Sequence, residues 1–367
     1  MSGGVDSSAA LAILKEKGYD CVGVSMQLWD YSRKDLEGGP SREGSCCSLD
    51  DVNDARAVAE RLGVPFYVLN MEEVFSREVV DYFVRAYLDG KTPNPCIKCN
   101  QILKFDVLLR KAAGLEADYI ATGHYARILD EGNGKRLFKG LDPEKDQSYF
   151  LFTLTGEEMR RVLFPVGGLT KREVREYARR AGLKTSDKKE SQEICFVEDK
   201  RYSDFLMKRV SPRSGDIVDL NGRTLGRHRG LFNYTIGQRK GLNLPGGPFY
   251  VIGMDAGRNI LMVGPEESLL SGGLIASGLN WISPEAERLF EDGPGVAGIS
   301  SKIRYRGPGE PSVVVKTDGG KALVTFSAPQ KAVAPGQAVV FYRGEEVIGG
   351  GWIEEAVEGK GTQKALF

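Results

Sequence analysis

The first residues of the chain form a loop that could hold phosphate groups before an apolar helical pattern. Its members are Ser2, Gly3, Gly4, Val5, Asp6, Ser7 and Ser8. Glycines let backbone amides approach a phosphate, serines add hydroxyl groups, and a helix N-terminus carries a partial positive charge. A flexible tail would give no reason for this composition. No Gly-Lys-Ser/Thr follows, so the loop is a pyrophosphate site other than a Walker A loop.

Three of the six cysteines lie in segments that could transfer sulfur or bind a metal. Cys96 and Cys99 form a Cys-x-x-Cys in the proline-bounded loop 92–100, and Cys195 lies about a hundred residues further on. Thiols are nucleophiles and soft metal ligands, so sulfur transfer, redox chemistry and a metal site are all open, beside a purely structural pair. A structural zinc site lacks an obvious fourth ligand, because the histidines are only His124 and His228.

The other cysteines are interpreted as structural thiols. Cys21 stands in an apolar run that predicts a buried strand, and Cys46 and Cys47 are adjacent. Adjacent cysteines do not readily form a disulfide with each other without strained geometry. In a chain of this length, six cysteines are too few for a disulfide scaffold.

Composition indicates a cytoplasmic protein without a membrane segment. The chain has 367 residues, of which 41% are hydrophobic and 27% charged, which allows two or three domains. It has neither a run of 18 apolar residues nor a signal peptide. Net charge is zero, so nucleic acid must be bound by local patches. Residues 196–240 contain ten Lys and Arg against five Asp and Glu, which is either such a patch or an ordinary solvated surface.

Alternating apolar runs and helical patterns in the first two hundred residues predict an α/β fold with a parallel sheet covered by helices. We expect strands at 21–29, 66–70 and 119–122, and helices at 7–17, 49–62, 74–89 and 171–181. Beyond about Ser211, short β-like runs broken by Gly and Pro predict an all-β region, with a small barrel from Leu274. A phosphate loop normally follows a strand, so we expect a strand before Ser2 to be missing, through a late start codon or a truncation.

Several strings resemble a known enzyme family over nearly the whole chain. The first loop resembles the SGGxDS signature of PP-loop ATP pyrophosphatases, which split ATP between the α and β phosphates and adenylate a carbonyl oxygen. Together with it, the strings NPCIKCN, TGHYAR, KDQSYFL, SQEICF, YTIGQRKGL, KIRYR and APGQAVVFY resemble the tRNA-specific 2-thiouridylases, which modify the wobble uridine. The resemblance implies a PP-loop ATP-binding catalytic domain at 1–204, a central tRNA-binding domain at 205–272 and a C-terminal β-barrel domain at 273–367.

The resemblance also implies roles for individual residues. ATP would bind at the first loop, with Met26 and Gly123 near the adenosine and Asp6 helping with magnesium. Cys99 would be the first catalytic cysteine and Cys195 the persulfide carrier, supplied by a sulfur-carrier protein or a cysteine desulfurase. Contacts with tRNA and the target base are expected at Asn94, Pro95, Cys96, His124, Lys145, Asp146, Gln147, Arg304, Tyr305 and Gln337.

Two routes for sulfur and two rival functions stay open. The well-known form of the family has Asp where this chain has Cys96, and Cys96, Cys99 and Cys195 could bind three irons of a four-iron, four-sulfur cluster. The other route uses only the persulfide on Cys195 and a disulfide with Cys99. An amidotransferase-like PP-loop synthetase would need no essential cysteine. A non-catalytic iron-sulfur or tRNA-binding module would release no AMP and pyrophosphate.

Overall fold

The computed structural model describes residues 1–29, 49–132, 134–188, 194–197, 202–282, 284–288, 290 and 296–358. Within these ranges the chain divides into two compact units. The first consists of described residues in Met1–Val80, Pro95–Phe205 and Glu345–Val347, and the second of those in Asp81–Asn94, Leu206–Gly344 and from Ile348 onward. The domain boundaries at 204 and 272 stay a prediction. Cys46, Cys47 and the start of the SQEICF string lie outside the described residues.

The regular elements are as follows. The helices are α1 Val5–Glu16, α2 Leu49–Arg61, α3 Glu72–Phe75, α4 Asp81–Leu88, α5 Pro95–Lys98, α6 Leu108–Gly114, α7 Gly156–Arg160, α8 Lys171–Arg180, α9 Tyr202–Met207 and α10 Pro284–Arg288. The strands are β1 Gly23–Gln27, β2 Phe66–Asn70, β3 Ile120–Ala121, β4 Ala126–Asp130, β5 Lys135–Lys139, β6 Val162–Leu163, β7 Gly215–Val218, β8 Thr224–His228, β9 Tyr250–Asp255, β10 Ile260–Gly264, β11 Leu270–Trp281, β12 Val296–Lys302, β13 Glu310–Thr317, β14 Lys321–Lys331, β15 Ala338–Arg343 and β16 Glu346–Val357. Among the described residues, no helix is long and apolar enough to cross a membrane.

The first unit has the predicted α/β character. Strands β1 and β2 pair in parallel with Gly23 opposite Phe66, and β3 and β6 form a second parallel pair. Helix α1 is buried along most of its length because residues 9–14 are all apolar, and its core also contains side chains of α2 and α8. Burial of a helix on nearly every side fits an element inside an α/β layer rather than on its surface. The α/β fold class is confirmed.

The helix predicted over 74–89 is not continuous. It is divided into α3, a π-helical turn at Ser76–Val80, and α4. A second π-helix covers Cys99–Val107, directly after α5. The sequence has neither Gly nor Pro inside these π-helices to mark them. π-helices are rare and frequently occur at functional sites.

The second unit is largely β-structure, as predicted. Strands β8, β7, β10 and β9 form a four-stranded sheet around buried Ile217, Val251 and Leu261. Six strands form a closed barrel in the order β11, β14, β13, β12, β15 and β16, since β16 also pairs with β11. Its core contains Val324 and Phe341 at 0% exposure. The predicted C-terminal all-β barrel is confirmed.

Candidate active site

The glycine–serine loop has a defined shape that depends on Gly3. Gly3 has a φ of +67°, and a Cβ at this position would lie 2.1 Å from the carbonyl oxygen of Asp51 in α2. Gly4 is the extended residue that precedes α1. The Ser2 amide donates to Ser7 Oγ at 3.2 Å, and Ser8 Oγ donates to the Gly4 carbonyl at 2.9 Å. The loop therefore meets the N-terminus of α1 in an arrangement suited to an anion.

An ion pair supports this loop from the side of α2. Lys188 Nζ donates to the Asp51 carboxylate at 2.7 Å and also contacts the Asp54 carboxylate. Burial lowers the pKa of Lys188, but its hydrogen bonds to these two carboxylates outweigh the effect of burial, and the net pKa is raised. Asp51 is thus held on its side-chain oxygen by Lys188 while its backbone carbonyl lies against Gly3.

The segment after β3 lies against the loop. A Cβ on Gly123 would lie 2.6 Å from the carbonyl carbon of Asp6 and 2.7 Å from the Ser7 amide nitrogen, so only glycine fits without a shift. Two residues later, the Tyr125 hydroxyl donates to Asp6 Oδ1 at 2.7 Å. The family resemblance implies a position near the adenosine for Gly123, and the structure places it in contact with the start of α1. Met26, the other predicted adenosine residue, is half-buried in β1.

Asp6 also forms an ion pair with a lysine that no sequence motif indicates. Lys171 Nζ donates to Asp6 Oδ1 at 2.7 Å and to Oδ2 at 2.9 Å. Lys171 is the first residue of α8 and is only 9% exposed. Both carboxylate oxygens of Asp6 therefore accept hydrogen bonds from side chains in this structure.

His124 is buried rather than open to a polynucleotide. It is 7% exposed, and its ring packs against those of Phe105 and Phe164. Its Nδ1 lies 2.7 Å from Thr122 Oγ1, and its Nε2 lies 3.5 Å from Lys104 Nζ. An ammonium group can only donate, so Nε2 accepts and Nδ1–H donates to the threonine hydroxyl. Burial, assisted by the charge of Lys104, lowers the pKa of His124 well below its ordinary value of 6.5.

Burial of the two histidines predicts that the protein loses stability in mild acid. His228 is also fully buried, and burial lowers its pKa, while Nε2 lies 3.0 Å from the Asn259 carbonyl oxygen. Both bind protons less readily in the folded protein than in the unfolded chain, where the pKa of histidine is near 6.5. We therefore expect the free energy of unfolding to fall between pH 7 and 5.5, by up to about 1.4 kcal/mol per pH unit for each histidine.

Denaturant titrations across this pH range measure the effect. His124→Gln and His228→Gln should each flatten the curve relative to the parent protein. Slopes are compared rather than absolute stabilities, since each substitution changes stability at every pH. Identical slopes in the parent and both variants would contradict the lowered pKa values of the two histidines.

The turn at 145–147 is held by its own side chains. Asp146 is buried and accepts from the Gly140 amide and from the Ser148 amide and hydroxyl, each at 3.0 Å. Gln147 Oε1 accepts from the Tyr125 amide at 3.0 Å, and the Gln147 amide donates to the Tyr125 carbonyl at 2.8 Å. The resemblance implies tRNA contacts for both residues, but their side chains bond to protein. A tRNA contact by Lys145 stays a prediction.

Cys99 begins the π-helix Cys99–Val107. The next residue, Asn100, is buried and its Nδ2 donates to the Phe150 carbonyl at 3.2 Å, which fixes the start of this helix. Lys98, just before Cys99, is half-buried, and burial lowers its pKa. Its Nζ donates to Gln101 Oε1 at 3.2 Å. The catalytic role of Cys99 stays a prediction.

Cys195 is half-buried and is followed by an aromatic anchor. Phe196 is 1% exposed, and its ring lies 5.6 Å from that of Phe75, 6.3 Å from that of Trp29 and 5.2 Å from that of Phe205. These rings fix the chain immediately after the cysteine. Sequence reasoning missed this anchor because aromatic residues far apart in sequence carry no local signal.

The three cysteines differ in exposure. Cys96 is exposed at the second position of α5, while Cys99 and Cys195 are half-buried. Within the described part of the chain, no group of three or more His, Cys, Asp or Glu side chains is placed to hold a metal ion. A four-iron cluster needs three thiolates converging on it, and its binding by these cysteines stays a prediction.

The remaining predicted tRNA residues belong to both units. Pro95 is buried at the start of α5 in the first unit. In the second unit, Gln337 Nε2 donates to the Thr92 carbonyl at 3.0 Å, two residues before Asn94. Arg304 is exposed and its guanidinium contacts the Lys331 carbonyl, and the Lys302 ammonium lies 5.7 Å from the centre of the Tyr305 ring.

Comparisons with known proteins agree along the chain. The model described as tRNA methyl transferase HUP domain matches residues 1–199, the tRNA methyl transferase PRC-barrel domain matches 203–265, and the aminomethyltransferase beta-barrel domain matches 271–353. The chain is 53% identical to tRNA-specific 2-thiouridylase MnmA of Geotalea uraniireducens, over 98% of this chain and 95% of the relative. The proteins of the same name from Geobacter metallireducens and Carboxydothermus hydrogenoformans are 52% and 50% identical, each over 97% of this chain and 96% of the relative.

Proposed function

Because this chain belongs to the tRNA-specific 2-thiouridylase family, we propose that it uses ATP to replace the 2-carbonyl oxygen of the wobble uridine of tRNA with sulfur. The observation that carries the proposal is the shape of the glycine–serine loop. Gly3 is required by its close approach to Asp51, Gly123 lies against Asp6 and Ser7 of the same loop, and the loop opens directly onto the N-terminus of α1. Such a site suits the release of pyrophosphate from ATP, which this reaction requires.

The first step activates the base. The 2-carbonyl oxygen of uridine is a poor leaving group, so it attacks the α phosphate of ATP and pyrophosphate leaves. The loop residues Ser2–Ser8 hold the phosphates with amides and hydroxyls, and Met26 lies at the adenosine. The fixed position of Gly123 keeps the loop in place during this displacement. The product is an adenylated base from which AMP can depart.

The second step delivers sulfur. A sulfur-carrier protein or a cysteine desulfurase loads Cys195 as a persulfide. The terminal sulfur attacks C2 of the activated base, and the Cys99 thiolate attacks Cys195 Sγ, which breaks the persulfide bond. AMP leaves with the former carbonyl oxygen, and a Cys99–Cys195 disulfide remains. A cellular thiol reductant then restores both cysteines.

We include a magnesium contact by Asp6 in the proposal, under one condition. Both oxygens of Asp6 accept hydrogen bonds in this structure, from Lys171 and from Tyr125. Asp6 could help with magnesium only after Lys171 has left its carboxylate. The chemistry that the metal would supply is neutralisation of phosphate charge.

The persulfide route predicts that thiolation does not depend on iron, because it uses only Cys99 and Cys195. Protein purified without oxygen and reconstituted with iron and sulfide should thiolate tRNA no faster than metal-free protein. Cys96→Ser and Cys96→Asp should retain activity within about threefold of the parent, because an exposed side chain outside the persulfide route contributes little. Iron and sulfide analysis, visible absorption and thiolation assays measure this. Activity that rises with iron content and disappears in both variants would support the iron-sulfur cluster as the sulfur donor.

The composition of the basic segment 196–240 predicts that tRNA binding depends on salt concentration. Arg227, Arg229 and Arg239 are exposed, as side chains that bind phosphates must be. Replacing each by alanine should weaken tRNA binding and lower the slope of log affinity against log salt by about 0.7 to 0.9 for each phosphate that is no longer neutralised. Arg258→Ala is the control, because Arg258 is exposed but lies outside the basic segment and pairs closely with Asp255, at 2.6 Å, against 3.8 Å for Arg227 and Asp216. Unchanged slopes in the first three variants would mark the segment as an ordinary solvated surface.

The decisive test of the function is mass spectrometry of tRNA nucleosides. Incubation of the protein with unmodified tRNA, ATP and a sulfur source should convert uridine to 2-thiouridine with release of AMP and pyrophosphate. An amidotransferase-like synthetase would give a product containing new nitrogen instead of sulfur. A binding module would release neither AMP nor pyrophosphate.

A further inference from the structure

The glycine–serine loop lacks a positive charge of its own. Residues 2–8 contain no lysine or arginine, and their one charged side chain is the carboxylate of Asp6. Pyrophosphate carries several negative charges, and Walker A loops meet this need with a lysine inside the loop. Backbone amides and a helix terminus supply only partial charges. A cation from elsewhere in the chain would complete the site.

Lys171 stands at the position from which such a cation could act. Its ammonium lies on Asp6, with both nitrogen–oxygen distances below 3 Å, although the two residues are 165 apart in sequence. The side chain is nearly buried, which is unusual for lysine unless the charge is paired. The ammonium also lies 5.6 Å from the centre of the Tyr125 ring, whose hydroxyl bonds to the same carboxylate.

The backbone around Lys171 is fixed independently of Asp6. Thr170 and Glu173 form a capping box at the start of α8. The Lys171 amide donates to Asp142 Oδ2 at 2.9 Å. Because these bonds hold the Cα in place, an ammonium that leaves Asp6 stays within the reach of one flexible side chain from the loop. Lysine binds phosphate as a compact point charge on such a flexible stem.

We propose that Lys171 is a phosphate-binding residue for ATP, whose ammonium passes from Asp6 to the pyrophosphate group when the nucleotide binds. The inference rests on the proposed function, since it identifies a further residue of the same ATP site. Asp6 holds the cation in the empty site and keeps a buried charge paired. Transfer of the ammonium to phosphate frees the Asp6 carboxylate.

Binding of inorganic pyrophosphate, measured by calorimetry and thermal shift in EDTA without tRNA, tests the proposal. Lys171→Met should weaken pyrophosphate binding at least about tenfold, because it removes a charged hydrogen bond. Asp6→Asn should strengthen binding, since it removes both the competing partner and a repelling charge. Arg179→Met, which removes a charge from the same helix but one paired with Asp187 at 3.0 Å, should match the parent.

The comparison of the double variant Asp6→Asn/Lys171→Met with Asp6→Asn distinguishes phosphate binding from a structural ion pair. In Lys171→Met alone the unpaired Asp6 carboxylate would itself repel pyrophosphate, whereas both proteins of this comparison lack that charge. The double variant should bind pyrophosphate at least about tenfold more weakly than Asp6→Asn. Equal pyrophosphate affinity in these two proteins, or unchanged affinity in Lys171→Met, would overturn the proposal.

The proposed function is tested separately by nucleoside analysis of the parent protein. Parent protein that binds pyrophosphate through Lys171 but forms no 2-thiouridine would disprove the thiolation and leave the phosphate contact intact. If the parent protein thiolates tRNA while Lys171→Met keeps the parental KM for ATP, the phosphate contact is disproved and the thiolation stands.

Discussion

Replacing either Cys99 or Cys195 by serine should abolish thiolation of tRNA while the protein stays folded and still activates the base. Serine keeps the size of the side chain but cannot carry a persulfide or form the disulfide that releases sulfur. We expect at least about a hundredfold loss of 2-thiouridine formation, as for removal of a nucleophile. Release of pyrophosphate in a single turnover should stay within a fewfold of the parent, because the ATP loop is unchanged.

Cys21→Ser is the matched control for these variants. Cys21 is half-buried before β1, and burial raises the pKa of its thiol, which disfavours the reactive thiolate. This variant should thiolate tRNA at the parental rate. If Cys195→Ser retains activity while Cys99→Ser does not, the sulfur is not carried on Cys195 and the persulfide must form elsewhere.

Gly123→Ala should impair the use of ATP strongly, although it adds only one methyl group. The added methyl group would lie 2.6 Å from the Asp6 carbonyl carbon and 2.7 Å from the Ser7 amide nitrogen, both backbone atoms of the phosphate loop. The loop must move to admit it, which typically costs about 1 to 3 kcal/mol and displaces the amides that face the phosphates. We expect KM for ATP to rise about tenfold or more and thiolation at limiting ATP to fall accordingly.

Gly168→Ala separates this effect from a general intolerance of alanine. A Cβ at Gly168 would meet nothing within 4 Å, so the variant should bind ATP like the parent. Calorimetric titration with a non-hydrolysable ATP analogue and thermal unfolding of the unliganded proteins measure both parts. Normal ATP affinity in Gly123→Ala would show that the close approach to Asp6 and Ser7 is unimportant for nucleotide binding.

Local sequence patterns predict the scaffold well because they depend on neighbouring residues. The apolar run at 66–70 coincides with β2, and the helix predicted at 171–181 with α8 at Lys171–Arg180. Glycines and serines before an apolar helix identify the phosphate loop, since flexibility, hydroxyl groups and a helix N-terminus are visible in seven consecutive residues. The π-helices escape prediction because no particular residue type requires them.

The interactions that complete the site could not be predicted, because they join distant segments. Nothing near Lys171 in the sequence indicates that its ammonium lies on Asp6. His124 and Asp146 are polar residues within strings typical of the family, and polarity alone suggests exposure to RNA. Their burial is possible only because Lys104, Thr122, Gly140 and Ser148 satisfy their hydrogen bonds.

The closure of the barrel has a consequence for the order of events during synthesis. Strand β11 pairs with β16, so the first and last strands of the barrel are neighbours although some seventy residues separate them. Until β16 has left the ribosome, β11 and β15 each present an unpaired edge, the kind of surface that recruits other chains. The pairing of β11 with β16 therefore makes closure of the barrel depend on the last of these strands to be synthesised.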